Sequence, residues 1–160
     1  MDAVTFQQEA MRHERLLYRI SYAMLRNNED CADAIQEALL RAWQHRDSLR
    51  RLSAFRPWLC RILVNACNDM LRKRPQVPFA PLTEDIAEAR PDHDPLLLRE
   101  ALDHLSPEQR TCVVLHYLEG WSVREIADAL SLPAGTVKTR LMYGRDHLNT
   151  MLRDEVEVEA

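Results

Sequence analysis

The stretch that most constrains this chain is GWSVREIADALSLPAGTVKTRLMYGRDHL, residues 120–148. Ser122 followed three residues later by Glu125 makes a capping box, in which each side chain satisfies a backbone N–H at a helix start. Trp121 and Ile126 flank it as a hydrophobic staple. A helix is therefore expected from Val123, with Ile126, Ala127 and Leu130 on one face. Ser131-Leu132-Pro133 ends it, because proline cannot continue a helix interior but suits a first turn. A second helix is expected from about Ala134, with Val137 and Leu141 turned inward. Two short helices joined this tightly predict a helix-turn-helix, whose second helix enters the DNA major groove. Its outward face carries Lys138, Thr139, Arg140, Met142, Tyr143 and Arg145, groups suited to gripping phosphate and reading base edges. An ordinary helical hairpin with a wet basic face shares the turn. The capping box, the small Ala127 and the basic second helix together favour a duplex reader.

A net charge of −4 looks wrong for such a reader until it is mapped. Residues 41–74 hold nine Arg/Lys against two acids, a net +7, and residues 75–108 hold two against eight, a net −6. The segregation, not the average, carries the information. Apolar residues make up 46%, yet no apolar run is long enough to cross a bilayer, so no membrane insertion is expected. The N-terminal MDAVTFQQEA lacks an apolar signal segment, so a cytoplasmic protein is expected. Cys31, Cys60, Cys67 and Cys112 form no C-x-x-C pair and read as reduced, packed thiols. Cys112 and His116 have helical metal-ligand spacing, but two ligands make a poor site and core packing explains them better.

In chain order, Thr5 to Leu25 reads as one helix, with Phe6, Ala10, Leu17, Ile20 and Met24 at helical spacing. Asn27-Asn28 ends it and caps a second, Asp30 to His45, whose buried face is Cys31, Ile35, Leu39 and Trp43 or close neighbours. Its opposite face presents Asp33, Gln36, Glu37, Leu40, Arg41 and Gln44. A leucine among polar residues suits a docking surface, and a plain wet face fits the pattern equally well. Residues 46–54 form a basic loop, and a third helix starts near Phe55 with Pro57 in its first turn. Its core face is Phe55, Leu59, Ile62, Leu63, Ala66, Met70 and Leu71. Trp58, Arg61, Asn65, Asn68 and Arg72 line a separate stripe. That stripe suits a single-strand platform, with bases on the ring and phosphates on the arginines. A core tryptophan flanked by solubilising arginines reads equally well.

Between Pro75 and Pro95 fall five of the eight prolines and five acids, the composition of a linker, with room for one short helical turn around Thr83 to Arg90. Those twenty-one residues reach roughly 70 Å when stretched. A further helix from Pro95 to Leu105 precedes Ser106-Pro107-Glu108-Gln109, a second capping box with proline at the first helical position. The helix it opens should end at Glu119, with Gly120 as the stop. The acidic segment from Asp154 is expected to fray. The fold class is thus all-α: two small helical domains, 1–74 and 96–153, joined by a flexible Pro/acid-rich linker, 75–95, and followed by an acidic tail, 154–160.

DSLRRLSAFRPWLCRILVNACNDML resembles the promoter-melting segment of bacterial extracytoplasmic-function sigma factors, approximately F-R-G-x-S-x-F-x-x-W-L-x-R-I-x-x-N. Asp33-Ala34-Ile35-Gln36-Glu37 resembles the family's polymerase-binding D-x-x-Q-E segment, and Leu105-Ser106-Pro107 through Leu141 is similar to its helix-turn-helix region. The three matches occur in the family's order and span nearly the whole chain. The resemblance implies core RNA polymerase, promoter DNA and an anti-sigma factor as partners, with no enzymatic activity, no cofactor and no metal. It implies that Asp33, Gln36, Glu37, Leu40 and Arg41 contact polymerase. It places Arg50, Arg51, Ser53, Phe55 and Arg56 in or beside the loop that receives a flipped non-template base, with Trp58, Arg61, Asn65, Asn68 and Arg72 along the strand. Thr136, Lys138, Thr139, Arg140, Met142, Tyr143 and Arg145 would face the minus-thirty-five element. Three positions depart from the pattern: Arg51 stands where glycine is common, Tyr143 where a base is common, and Ser131 where the turn usually has glycine. These bear on which promoter is read. A stand-alone helix-turn-helix regulator is the rival expectation, and it would bind its operator without polymerase, commonly as a dimer on a palindrome.

Overall fold

The computed structural model describes residues 1–73 and 96–159. The expected linker, with its short helical turn, lies outside the described residues. Among those described there are eight α-helices and no strand. The first domain comprises α1 (Ala3–Arg12), α2 (Glu14–Leu25), α3 (Asn28–Gln44) and α4 (Phe55–Lys73). The second comprises α5 (Leu96–Asp103), α6 (Pro107–Val113), α7 (Val123–Leu130) and α8 (Ala134–Glu159).

The first correction falls at the N-terminus. One helix was expected over Thr5–Leu25, but the chain breaks at His13, whose backbone leaves helical values at φ −105° and ψ 13°. No proline or glycine marks the spot. The break lets α1 turn Phe6 into the core, where its ring meets Trp43 at 5.3 Å and Phe55 at 5.8 Å, both edge-on. His13 itself lies flat against Phe55, 6.2 Å between ring centres. Tertiary packing overrides a continuous local pattern here.

Helices α2, α3 and α4 pack together around Leu17, Ile20, Cys31, Phe55, Leu59, Leu63 and Cys67, all essentially without solvent contact. In α3 the fully buried line is Cys31, Ala34, Ala38 and Ala42, one step round from the larger Ile35, Leu39 and Trp43, which are half-buried. The alanines allow the close helix approach and the bulkier residues seal its edge.

In the second domain Ser106 caps α6 by accepting from the Gln109 N–H at 3.2 Å. The helix then widens into a π-turn over Val114–Leu118 before Gly120 closes it at φ +74°. Helix α8 runs on to Glu159, so the tail expected to fray is helical backbone. Leu148 and Met151 still pack on the core, which holds the helix in register up to that tail. The two domains do not stand apart. Helix α7 packs on α4 and α6 on α2, so that one apolar cluster runs through both.

Candidate nucleic-acid interface

On α3, Asp33, Gln36, Glu37 and Leu40 are exposed, and Leu40 keeps 52% of its surface in water. Arg41 is half-buried and braced: its Nε donates to Glu37 at 2.9 Å and its Nη1 pairs with Asp69 of α4 at 3.1 Å. The guanidinium of Arg41 holds the Asp69 carboxyl below the ordinary carboxylate range, with Arg72 adding to the effect. Pairing with Glu37 pushes Arg41 itself further up. The stripe is thus a pre-set surface in which Glu37 and Arg41 are already oriented.

Two short 3-10 turns, Arg46–Ser48 and Leu52–Ala54, shape the basic loop, and Arg50, Arg51 and Ser53 stand exposed on it. Arg46 anchors the loop to α3, its guanidinium 3.9 Å above the Trp43 ring and donating to the Trp43 carbonyl at 2.8 Å. Phe55, grouped by the sequence with this loop, is only 1% exposed and lies in the core. Its contribution is to seat Trp58, whose half-buried ring tilts against it at 5.7 Å. Arg61, Asn65, Asn68 and Arg72 continue from Trp58 along one exposed line of α4.

Two of these groups are engaged by the second domain. The Arg56 guanidinium pairs with Glu125 at 3.0 Å and lies 5.4 Å from the Trp121 ring centre. Arg61 donates from both Nε and Nη2 to the Asp128 carbonyl, the former at 3.0 Å.

The helix-turn-helix forms as its sequence dictates. The Ser122 hydroxyl accepts from the Glu125 N–H at 3.1 Å, and the Glu125 carboxylate accepts from the Ser122 N–H at 3.2 Å. Ser131 takes the left-handed conformation at φ +57°, and the Leu132 N–H reaches back to the Ala127 carbonyl at 2.9 Å. This is a Schellman closure with serine in the usual glycine position. On α8, Lys138, Thr139, Met142, Tyr143 and Arg145 are exposed. Thr136 and Arg140 are half-buried. Arg140 turns toward a cleft of about 240 Å³ between the domains, lined also by Met24, Asn68, Glu108, Thr111 and Leu132. The structure thus brings Asn68 of the α4 stripe and Arg140 of the recognition helix to one cleft.

Sequence reasoning missed Arg110. It is 4% exposed and donates to the Ala23 carbonyl in the first domain and, at 3.1 Å, to the Leu105 carbonyl in its own. Burial pulls this guanidinium down to about 10. The available signal was an arginine in register with the apolar Val113 and Val114 on one side of α6. Among the described residues no three His, Cys, Asp or Glu side chains gather as metal ligands, and no helix is long and apolar enough to cross a membrane.

Residues 10–76 match the family model for Sigma-70 region 2, and residues 96–148 match that for Sigma-70, region 4. The chain is 36% identical over 154 residues to the ECF RNA polymerase sigma factor SigM of Mycobacterium tuberculosis, covering 94% of this chain and 79% of that one. It is 30% identical over 156 residues to the ECF RNA polymerase sigma factor SigW of Bacillus subtilis, covering 86% and 83%. Among solved structures, the sigma factor RpoE in complex with the anti-sigma factor NepR from Bartonella quintana shares the fold, with a TM-score of 0.73, 24% identity and coverage of 92% of this chain and 96% of that one. CnrH in complex with the cytosolic domain of CnrY matches with a TM-score of 0.66 at 25% identity, covering 93% and 88%.

Proposed function

The chain belongs to the extracytoplasmic-function sigma factors of bacterial RNA polymerase, and from that premise we propose how its surfaces divide the work of initiation. As an alternative sigma factor it binds core polymerase and directs promoter recognition and transcription initiation. Region 1–74 docks on the polymerase through Asp33, Gln36, Glu37, Leu40 and Arg41, whose charges flank one exposed leucine. The loop carrying Arg50, Arg51 and Ser53 receives an extruded base. Arg56, Trp58, Arg61, Asn65, Asn68 and Arg72 hold the strand, while Phe55 acts from the core by fixing the tryptophan. Region 96–153 reads the upstream element through Lys138, Thr139, Met142, Tyr143 and Arg145, with Thr136 and Arg140 joining once the cleft opens. The chain acts in the cytoplasm, where polymerase is, and binds an anti-sigma factor, a reading supported by its likeness to RpoE, solved in complex with the anti-sigma factor NepR. It is an initiation factor that performs no bond chemistry of its own.

The observation that carries this division is the single line along α4 from the half-buried Trp58 through exposed Arg61, Asn65, Asn68 and Arg72, an aromatic followed by cations and amides, beside a basic loop. A stand-alone regulator has no use for such a line. Stacking one base on an aromatic is worth roughly 1–3 kcal/mol, so Trp58→Ala should cut open-complex formation by about tenfold or more while sparing the closed complex. Permanganate footprinting of promoter–polymerase complexes reads this directly. A folded variant that opens the bubble at the wild-type rate removes Trp58 from the role.

A further inference from the structure

Helix α8 carries the cations of a duplex reader, yet the middle of its outward face is apolar. Met142 keeps 43% of its surface in water and Tyr143 keeps 56%, an exposure that costs hydrophobic free energy in the free chain. Thr139 lies one turn before both, so the three side chains adjoin at helical spacings of three and four. Its hydroxyl donates back to the Gly135 carbonyl at 2.9 Å, so its proton is taken within the helix. The cations stand to either side. Lys138 and Arg145, both exposed, form one edge of the face. Arg140 forms the other, half-buried and turned toward the cleft and the buried Cys112 thiol of α6.

In the major groove, base pairs differ in their hydrogen-bonding edges and in one apolar group, the C5-methyl of thymine. Cations at the edge of a recognition face suit phosphates, which position the helix but carry no sequence. An apolar patch between them is complementary to the methyl. At about 1.5 Å of rise per residue, Thr139 to Tyr143 covers about 6 Å, enough for two or three base pairs stacked about 3.4 Å apart.

We propose that α8 reads thymine methyls: Thr139, Met142 and Tyr143 pack against the C5-methyl groups of neighbouring thymines in the upstream element, while Lys138 and Arg145 grip the flanking phosphates. The proposal rests on the assignment of α8 to that element. It adds the base that the helix selects and the group on that base that is recognised.

The test takes a promoter fragment that the chain transcribes with core polymerase. Its upstream half is remade with deoxyuridine in place of thymidine, which removes the methyl and leaves every hydrogen-bonding edge unchanged. Competition for the complex of the full chain with core polymerase compares the thymine fragment, the uracil fragment and one whose upstream half is scrambled. Burial of one methyl is worth about fourfold in affinity, so loss of two or more should weaken the uracil fragment by about tenfold. Met142→Ala with Tyr143→Ala changes two exposed positions and should keep its helicity. The double variant should bind the thymine fragment about tenfold more weakly and discriminate little between thymine and uracil. Tyr143→Phe should behave as the wild type, because the ring and not the hydroxyl makes the contact. Equal binding of the uracil and thymine fragments by the wild-type complex overturns the proposal. A double variant that keeps the full response to uracil overturns it too, as does a Tyr143→Phe variant that loses that response. If the scrambled fragment competes as well as the native one, the assignment of α8 falls and methyl reading falls with it. If scrambling weakens binding and uracil does not, methyl reading alone falls.

Discussion

At Gly144 a Cβ would stand 2.7 Å from the Val113 Cγ2, closer than side chains tolerate. Val113 is β-branched and helical, so it has little rotamer freedom to yield. The glycine is therefore what lets α8 approach α6. Gly144→Ala should destabilise the second domain by about 1–3 kcal/mol through overpacking, against a helix-propensity gain of about 1 kcal/mol. Chemical denaturation measures it, and a variant more stable than wild type refutes the close contact. The thiols give a second residue-scale prediction. Burial pushes Cys60 and Cys67 from the ordinary 9.0 up to about 12. A raised acid pKa means the folded state keeps protons that the unfolded state releases. Their contribution is whole below about pH 9 and is lost as pH rises from there toward 12, by up to about 1.4 kcal/mol per unit for each thiol. Native protein should also resist a thiol-reactive disulfide reagent at pH 8 until denatured. Rapid labelling of all four thiols in the folded chain would contradict that. The thiols' burial was legible from their spacing and setting, but Gly144 had no such signal, because its close approach depends on Val113, 31 residues away, rather than on its neighbours.

Elements were legible where capping chemistry marked them. Ser122 with Glu125, Ser106 before Pro107, and Asn27 before α3, which accepts from the Asp30 N–H at 3.0 Å, all open helices as their sequences say. The break at His13, the π-turn at Val114–Leu118 and the helical continuation to Glu159 were not legible. The first two are decided by what packs against the segment, and local propensity holds no record of that. At this scale the α3 surface is the one to test. Asp33→Lys with Glu37→Lys reverses two exposed charges and removes the brace on Arg41. Competition against another sigma factor should show core-polymerase affinity down by tenfold or more, with helicity unchanged. Undiminished competition would remove α3 from the polymerase surface.

For the whole molecule, two domains and their order could be read from the chain, but their mutual packing could not. The structure pairs Asp103 from the acidic stretch, and Glu119 and Glu125 from beyond it, each with a particular arginine of the first domain. It follows that free chain should bind promoter duplex only weakly, at micromolar levels near 150 mM salt, where the Debye length of about 8 Å leaves unpaired charges little reach. The central claim, that the chain selects promoters as a polymerase subunit, is tested most directly by run-off transcription on fragments of its host's DNA. Purified core polymerase is assayed with and without the chain. The account predicts discrete transcripts that begin at a small set of sites only when the chain is present. Indistinguishable transcripts in the two reactions would contradict it.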